Sequence, residues 1–298
     1  MPLRTRLLII KLAIVLAPLA LALAAMHFLL PGCARRREAA LLGGNYTSQD
    51  IGRFRIVEPR GSCLAAAIAA DMEAFTAALY AEYGRALSLH PLADRITIRL
   101  FATKEDFEHF AGARIRQDVS HAEGYYDPVS WSIAIALLSD EEPRTTLFHE
   151  ATHLLMARSA PLGHPDWSPW LSEGMAVFFE NSTVGGREPR LGGADRSSAA
   201  HVLALARQGR HVPLRRLVGG DDALFHSEAA SLCYAESGLL VAYLLTGAGR
   251  PAREAFLRYV DFERQPGPTP PGTLESYLRT PFDTLERDWL AFLQRIAP

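Results

Sequence analysis

Lysine is nearly missing from this 298-residue sequence: Lys11 and Lys104 are its two lysines, and every other Lys/Arg position is arginine. Formal net charge is -2 at pH 7, so the basic excess of a nucleic-acid binder is absent and no nucleic-acid partner is expected. Cysteine is scarce as well. Cys33, Cys63 and Cys233 show none of the spacing of a cysteine zinc site. No internal repeat is visible, which argues against a repeat architecture. What is present is apolar: hydrophobic residues make up 49% and charged residues 21%, enough for a buried core and too apolar for wholesale disorder.

The first thirty-odd residues differ from the rest. Arg4, Arg6 and Lys11 precede an apolar run from Leu12 to Leu30, followed by Pro31, Gly32 and Cys33. A basic start, an apolar stretch and a small residue before a break is the layout of an export signal. Leu30, Gly32 and Cys33 resemble the junction of a bacterial lipoprotein signal, which makes Cys33 a lipidation candidate, although Pro31 departs from that pattern. The other reading is an uncleaved anchor, because at ~1.5 Å per residue the run nearly crosses a ~30 Å hydrocarbon core. Either way the chain is expected in the cell envelope, held to the membrane through its N-terminus, with the larger part outside the cytoplasm. In an oxidising space Cys63 and Cys233 can pair; the alternative is two free thiols.

Residues 34–53 read as a tether. Phe54 to Glu58 alternates like a strand, and Ser62 stands where it can cap a long Ala-rich helix reaching about Leu89. Arg95 to Phe101 is a second strand, and Thr103 caps a short helix whose Phe107 and Phe110 face inward. Glu123–Tyr126 and Trp131–Leu137 flank Asp127-Pro128 as a hairpin. Helices follow at 145–157 and from Ser168-Pro169 to about Asn181, and the remainder reads as helical at about 195–208, 228–246, 252–263 and 282–296. The class is therefore α+β, with a mixed strand–helix half and a helical C-terminal half.

The chemistry sits at the junction of those halves. His149-Glu150-Ala151-Thr152-His153 is an H-E-x-x-H motif. Residues i and i+4 share a helix face, so both imidazoles can reach one Zn²⁺, while Glu150 can address a water on it. Leu147, Phe148, Leu154, Leu155 and Met156 make that helix apolar, and burying two His and a Glu in such surroundings requires a compensating partner. A catalytic zinc takes three protein ligands and an open position. The third candidate is Glu173, in Trp170-Leu171-Ser172-Glu173-Gly174, far enough along for the chain to turn and bring a second helix alongside. An oxyanion donor is also needed; Tyr234 on a later helix is one candidate and His226 its rival.

His149 to His153 followed by Trp170 to Gly174 resembles the gluzincin zinc peptidases, and looks like the peptidase MA-like family of bacterial envelope proteins. The clear resemblance covers roughly residues 120–182. It implies a zincin-like mixed sheet with an active-site helix over 54–185 and a helical part over 186–298. It implies His149, His153 and Glu173 as zinc ligands and Glu150 as general base. It also implies an acidic residue seven positions beyond the ligand Glu that steadies a ligand His; Glu180 matches that offset. In such proteins the edge strand beside the site holds the peptide by strand addition, which here points to Trp131–Leu137, with Gly124-Tyr125-Tyr126 contributing. A similarly placed Tyr recurs in related peptidases, which favours Tyr234. Two features of relatives are absent: the Gly-x-Met-Glu-Asn stretch that holds a free amine, and an Asp four residues after the ligand Glu, where Val177 stands. The expectation is a zinc-dependent endopeptidase acting on a peptide or protein substrate. The alternatives are an envelope protein-binding factor that keeps the fold without catalysis, and a hydrolase of a non-peptide amide.

Overall fold

Alternation of apolar residues over Phe54–Pro59 and Ile96–Phe101 builds two nearly buried strands at the centre of a five-stranded sheet. The computed structural model describes residues 44–92, 94–115, 122–137, 143–160, 167–185, 189–264 and 272–298. The strands are β1 (Tyr46–Ile51), β2 (Phe54–Pro59), β3 (Ile96–Phe101), β4 (Gly124–Asp127) and β5 (Ser132–Ala136), in the spatial order β1-β2-β3-β5-β4. β2, β3 and β5 run parallel, and β4 returns antiparallel to β5. Residues 48–298 make one compact unit. The export or anchor segment 1–33, with its lipidation candidate Cys33, lies outside the described residues.

The parallel pairs need crossovers, and helices supply them. α1 (Ala65–Tyr83) joins β2 to β3, and α2 (Lys104–Ile115) follows β3. Ile68, Met72, Phe75 and Leu79 recur at helical spacing and are buried, with Phe75 stacked on Phe148 at 4.5 Å. Thr103 caps α2 as expected, accepting from the Asp106 N–H at 3.1 Å. Ser62 does not cap α1. The buried carboxylate of Glu58 accepts from the amides of Leu64 and Ala65 instead, at 2.9 and 3.1 Å. A negative charge there complements the positive end of the helix dipole. The helix also stops at Tyr83, short of Leu89, in a turn where Ser88 takes φ 49°.

Two further expectations are corrected. Tyr46–Ile51, assigned to the tether, is a strand. Ser132–Ala136 is not an edge strand: every residue of β5 is buried, with β3 on one side and β4 on the other, and β4 is the terminal strand.

Beyond the sheet come α3 (Pro143–Arg158), α4 (Pro169–Glu180), α5 (Arg196–Arg207), α6 (Leu214–Val218), α7 (Asp222–Phe225), α8 (Ala230–Ala242), a π-helical turn at Tyr243–Gly247, α9 (Arg250–Glu263), α10 (Thr273–Leu278) and α11 (Phe282–Ile296). The fold is α+β with a helical C-terminal half. The short helices α6, α7 and α10 lack the length to show a clear apolar period in sequence. Among the described residues, Ala230–Gly247 is long and apolar enough to cross a membrane, but most of it is buried in the fold, as befits a core helix. Cys63 is exposed and Cys233 buried, and both are free thiols.

Buried polar ties bind the helical half to the rest. Glu263 accepts from Ser168 Oγ at 2.8 Å and from the Tyr259 hydroxyl. Arg264, almost fully buried, donates to the carbonyls of Leu87 and Ser159. Hydrogen-bonded in this way, such groups fix one docking of the helices, because any slip would strand a buried polar group.

Candidate metal centre

α3 carries the H-E-x-x-H motif on a helix whose Leu147, Phe148, Ala151, Leu154 and Leu155 are buried in the core. That burial fixes its rotation and turns His149 and His153 together toward α4. α4 begins where Ser168-Pro169 predicts, with Pro at the first turn, where an amide has no partner to lose. Trp170, fully buried and stacked on Tyr259, and the Ser168–Glu263 hydrogen bonds pin this start. Glu173, one turn on, then faces α3.

The three side chains converge. His149 Nε2 and His153 Nε2 stand 3.2 Å apart, and Glu173 Oε2 lies 3.4 Å from the first and 3.5 Å from the second. Together they form a group able to hold a metal ion. A tetrahedral ion with bonds of about 2.0–2.1 Å keeps its donor atoms about 3.3–3.4 Å apart, so the spacing fits.

The outer nitrogens of both rings are occupied. His149 Nδ1 faces Glu180 Oε2 at 2.8 Å, and His153 Nδ1 faces Ser172 Oγ at 3.2 Å. Were each neutral ring to donate outward through Nδ1–H, both Nε2 atoms would turn a lone pair inward and three acceptors would meet at one point. Such a set calls for a cation. Burial disfavours charge on His149, but Glu173 and Glu180 outweigh it, with Glu150 adding, and lift its pKa well above the usual imidazole value. Burial likewise disfavours the ionised Glu173, yet the two imidazoles hold its pKa far below the usual carboxylate range. Both shifts describe one well for positive charge.

The Glu150 side chain lies against β4 at Gly124. Burial raises its pKa, the charge of Glu173 adds to the rise, and His149, His153 and the Tyr126 amide oppose it. A buried carboxyl with a raised pKa holds its proton more readily than an exposed one.

Tyr234 lies on α8, half-buried, its ring 5.9 Å from Phe225. Burial raises its pKa first, and the negative charges of Glu173 and Glu150 raise it further. Its hydroxyl therefore stays protonated in the field of both site carboxylates. His226 is placed differently: it is exposed at the end of α7, with Nδ1 2.7 Å from the Asp222 carbonyl. Sequence reasoning named His149, Glu150, His153, Glu173, Glu180 and Tyr234; the structure brings His149, His153 and Glu173 together, sets Glu180 on His149, and leaves Tyr234 within the electrostatic reach of Glu173 and Glu150. Sequence reasoning missed Ser172, and it named Gly124 only as part of the cleft wall. The signal for Ser172 was its place immediately before Glu173, on the helix turn that faces His153.

Residues 144–268 match the family described as "Protein of unknown function (DUF1570)". That stretch contains α4, α8 and all but the first residue of α3, hence all six of the residues named above. No curated protein matches the chain.

Proposed function

We propose that this chain is a zinc metallopeptidase, an endopeptidase held to the cell-envelope membrane by its N-terminus and acting on a peptide or protein substrate. The observation that supports it most is the three-donor convergence of His149, His153 and Glu173 with the carboxyl of Glu150 buried beside it. Two imidazoles and a carboxylate are a donor set characteristic of catalytic zinc, and three protein ligands leave a fourth position free. Zinc held there would supply a Lewis acid, which polarises a carbonyl and acidifies water.

The chain's own residues supply the rest. Glu150 takes the proton of the attacking water and returns it to the leaving amine. Tyr234 donates its hydroxyl hydrogen to the oxygen on which negative charge develops. Glu180 and Ser172 hold the two imidazoles in the tautomer that keeps Nε2 unprotonated. β4, the terminal strand, lies against Glu150 at Gly124 and would form one wall of the cleft that receives the peptide.

A broad peptide-library digest, run beside metal analysis, tests this. Wild type is expected to cleave, and Glu150→Gln to hold zinc and lose cleavage. Equal cleavage by both would refute the mechanism. Zinc in both without cleavage by either would favour the protein-binding factor.

A further inference from the structure

β4 comes unusually close to α3 at Gly124. Gly124 lies outside the left-handed region that favours glycine, so its backbone conformation does not demand this residue; the space does. A Cβ there would stand 2.5 Å from Thr146 Cγ2, 2.8 Å from Glu150 Cγ and 2.9 Å from Glu150 Oε1. Carbon contacts are comfortable near 3.5–4.0 Å, so all three would be collisions.

The next outward peptide group completes the arrangement. The Ala136 amide donates to the Glu123 carbonyl at 2.8 Å, which makes Glu123 and Ala136 a hydrogen-bonded pair. Such pairs alternate along an antiparallel ladder, so the peptide groups of Gly124 and Tyr126 face off the sheet edge. The Tyr126 N–H donates to the Glu150 carboxylate. One residue leaves room and its neighbour two positions on provides a donor.

We infer that Gly124 is a positioning residue for Glu150: its bare Cα opens a slot at the sheet edge, and that slot decides where the carboxylate can sit. The kinetic consequence rests on the peptidase reading above; the slot itself does not. A methyl at 124 pushes the carboxylate out of line with the attacking water, while the three-donor set on α3 and α4 stays as it is. Misplacement by about 1 Å can cost roughly 10²-fold in rate.

Gly124→Ala alone would also press on Thr146 and push strand and helix apart. Thr146→Ser removes Cγ2, so the full-length Thr146→Ser chain is the reference background. The first measurement is a thermal-unfolding cycle in that background. Gly124→Ala is expected to lower Tm with Glu150 present, and to cost less than half as much beside Glu150→Ala, which removes the colliding atoms. Equal costs in the two backgrounds would overturn the slot. The second is steady-state kinetics: kcat is expected to fall about 10²-fold with KM and zinc content unchanged. An unchanged kcat would overturn the positioning role. A Thr146→Ser reference that cleaves no peptide would count against the peptidase reading, and the unfolding cycle would still decide the slot.

Discussion

A Cβ added at Gly174 would stand 2.8 Å from the backbone oxygen of Ser237, so α4 and α8 meet through backbone at that point. The contact is reciprocal: a Cβ at Gly238 would fall 2.3 Å from Val177 Cγ1. Glu173 immediately precedes the first glycine, and Tyr234 lies one turn before the second. The close crossing is what carries Tyr234 into the field of Glu173 and Glu150.

Gly174→Ala should therefore destabilise the protein by ~1–3 kcal/mol, the usual cost of overpacking where the obstacle is backbone. Denaturant unfolding checks this. A stability equal to wild type would mean that the helices part easily and that the crossing does not fix Tyr234.

His149→Ala and Glu173→Ala should each abolish stoichiometric zinc binding, measured by mass spectrometry of metals after dialysis. Glu180→Gln should keep the ion but weaken it by ~10–100-fold, because it removes the carboxylate that orients His149. Full occupancy in both ligand variants would remove the centre from consideration.

Glu150→Gln should lower hydrolysis by ~10²–10⁴-fold, the range for loss of a general base, with zinc content and circular dichroism preserved. The amide nearly matches the carboxylate in size, so the buried slot beside β4 stays filled.

Tyr234→Phe should lower kcat by ~10²–10³-fold while zinc content stays at the wild-type level, as for loss of one oxyanion donor. His226→Ala should leave kcat unchanged. The reverse pattern would exchange the two assignments.

Glu236 gives a pH signature away from the centre. Burial pushes its pKa up to about 8, partly offset by the Val212 amide and reinforced by Glu286. A carboxyl with a folded pKa above its unfolded value holds its proton more tightly in the folded state. Its contribution to stability is complete below the unfolded value and is lost as pH rises toward about 8. Glu236→Gln should thus raise Tm at pH 8 more than at pH 5. Equal shifts at the two pH values would show that Glu236 is already ionised when folded.

The H-E-x-x-H pairing, the Ser168-Pro169 helix start and the helical C-terminal half were legible in the residues because each is local. An i,i+4 pair shares a face on any helix, and a proline after a cap residue marks a helix start wherever it occurs. Glu173 was legible because a catalytic ion requires a third donor and its stretch resembles known peptidases. Other features depend on partners distant in sequence. Which strand forms the sheet edge follows from β5 inserting between β3 and β4. Glu58 caps α1 in place of Ser62 because β2 delivers a buried carboxylate to that helix end. Tyr234 comes within the field of Glu173 and Glu150 on α8, which two glycines let touch α4. Periodicity and spacing along one helix or strand thus carry the local chemistry. Which side chains meet across elements is settled by packing, because strand order and helix crossings join segments that no local pattern relates.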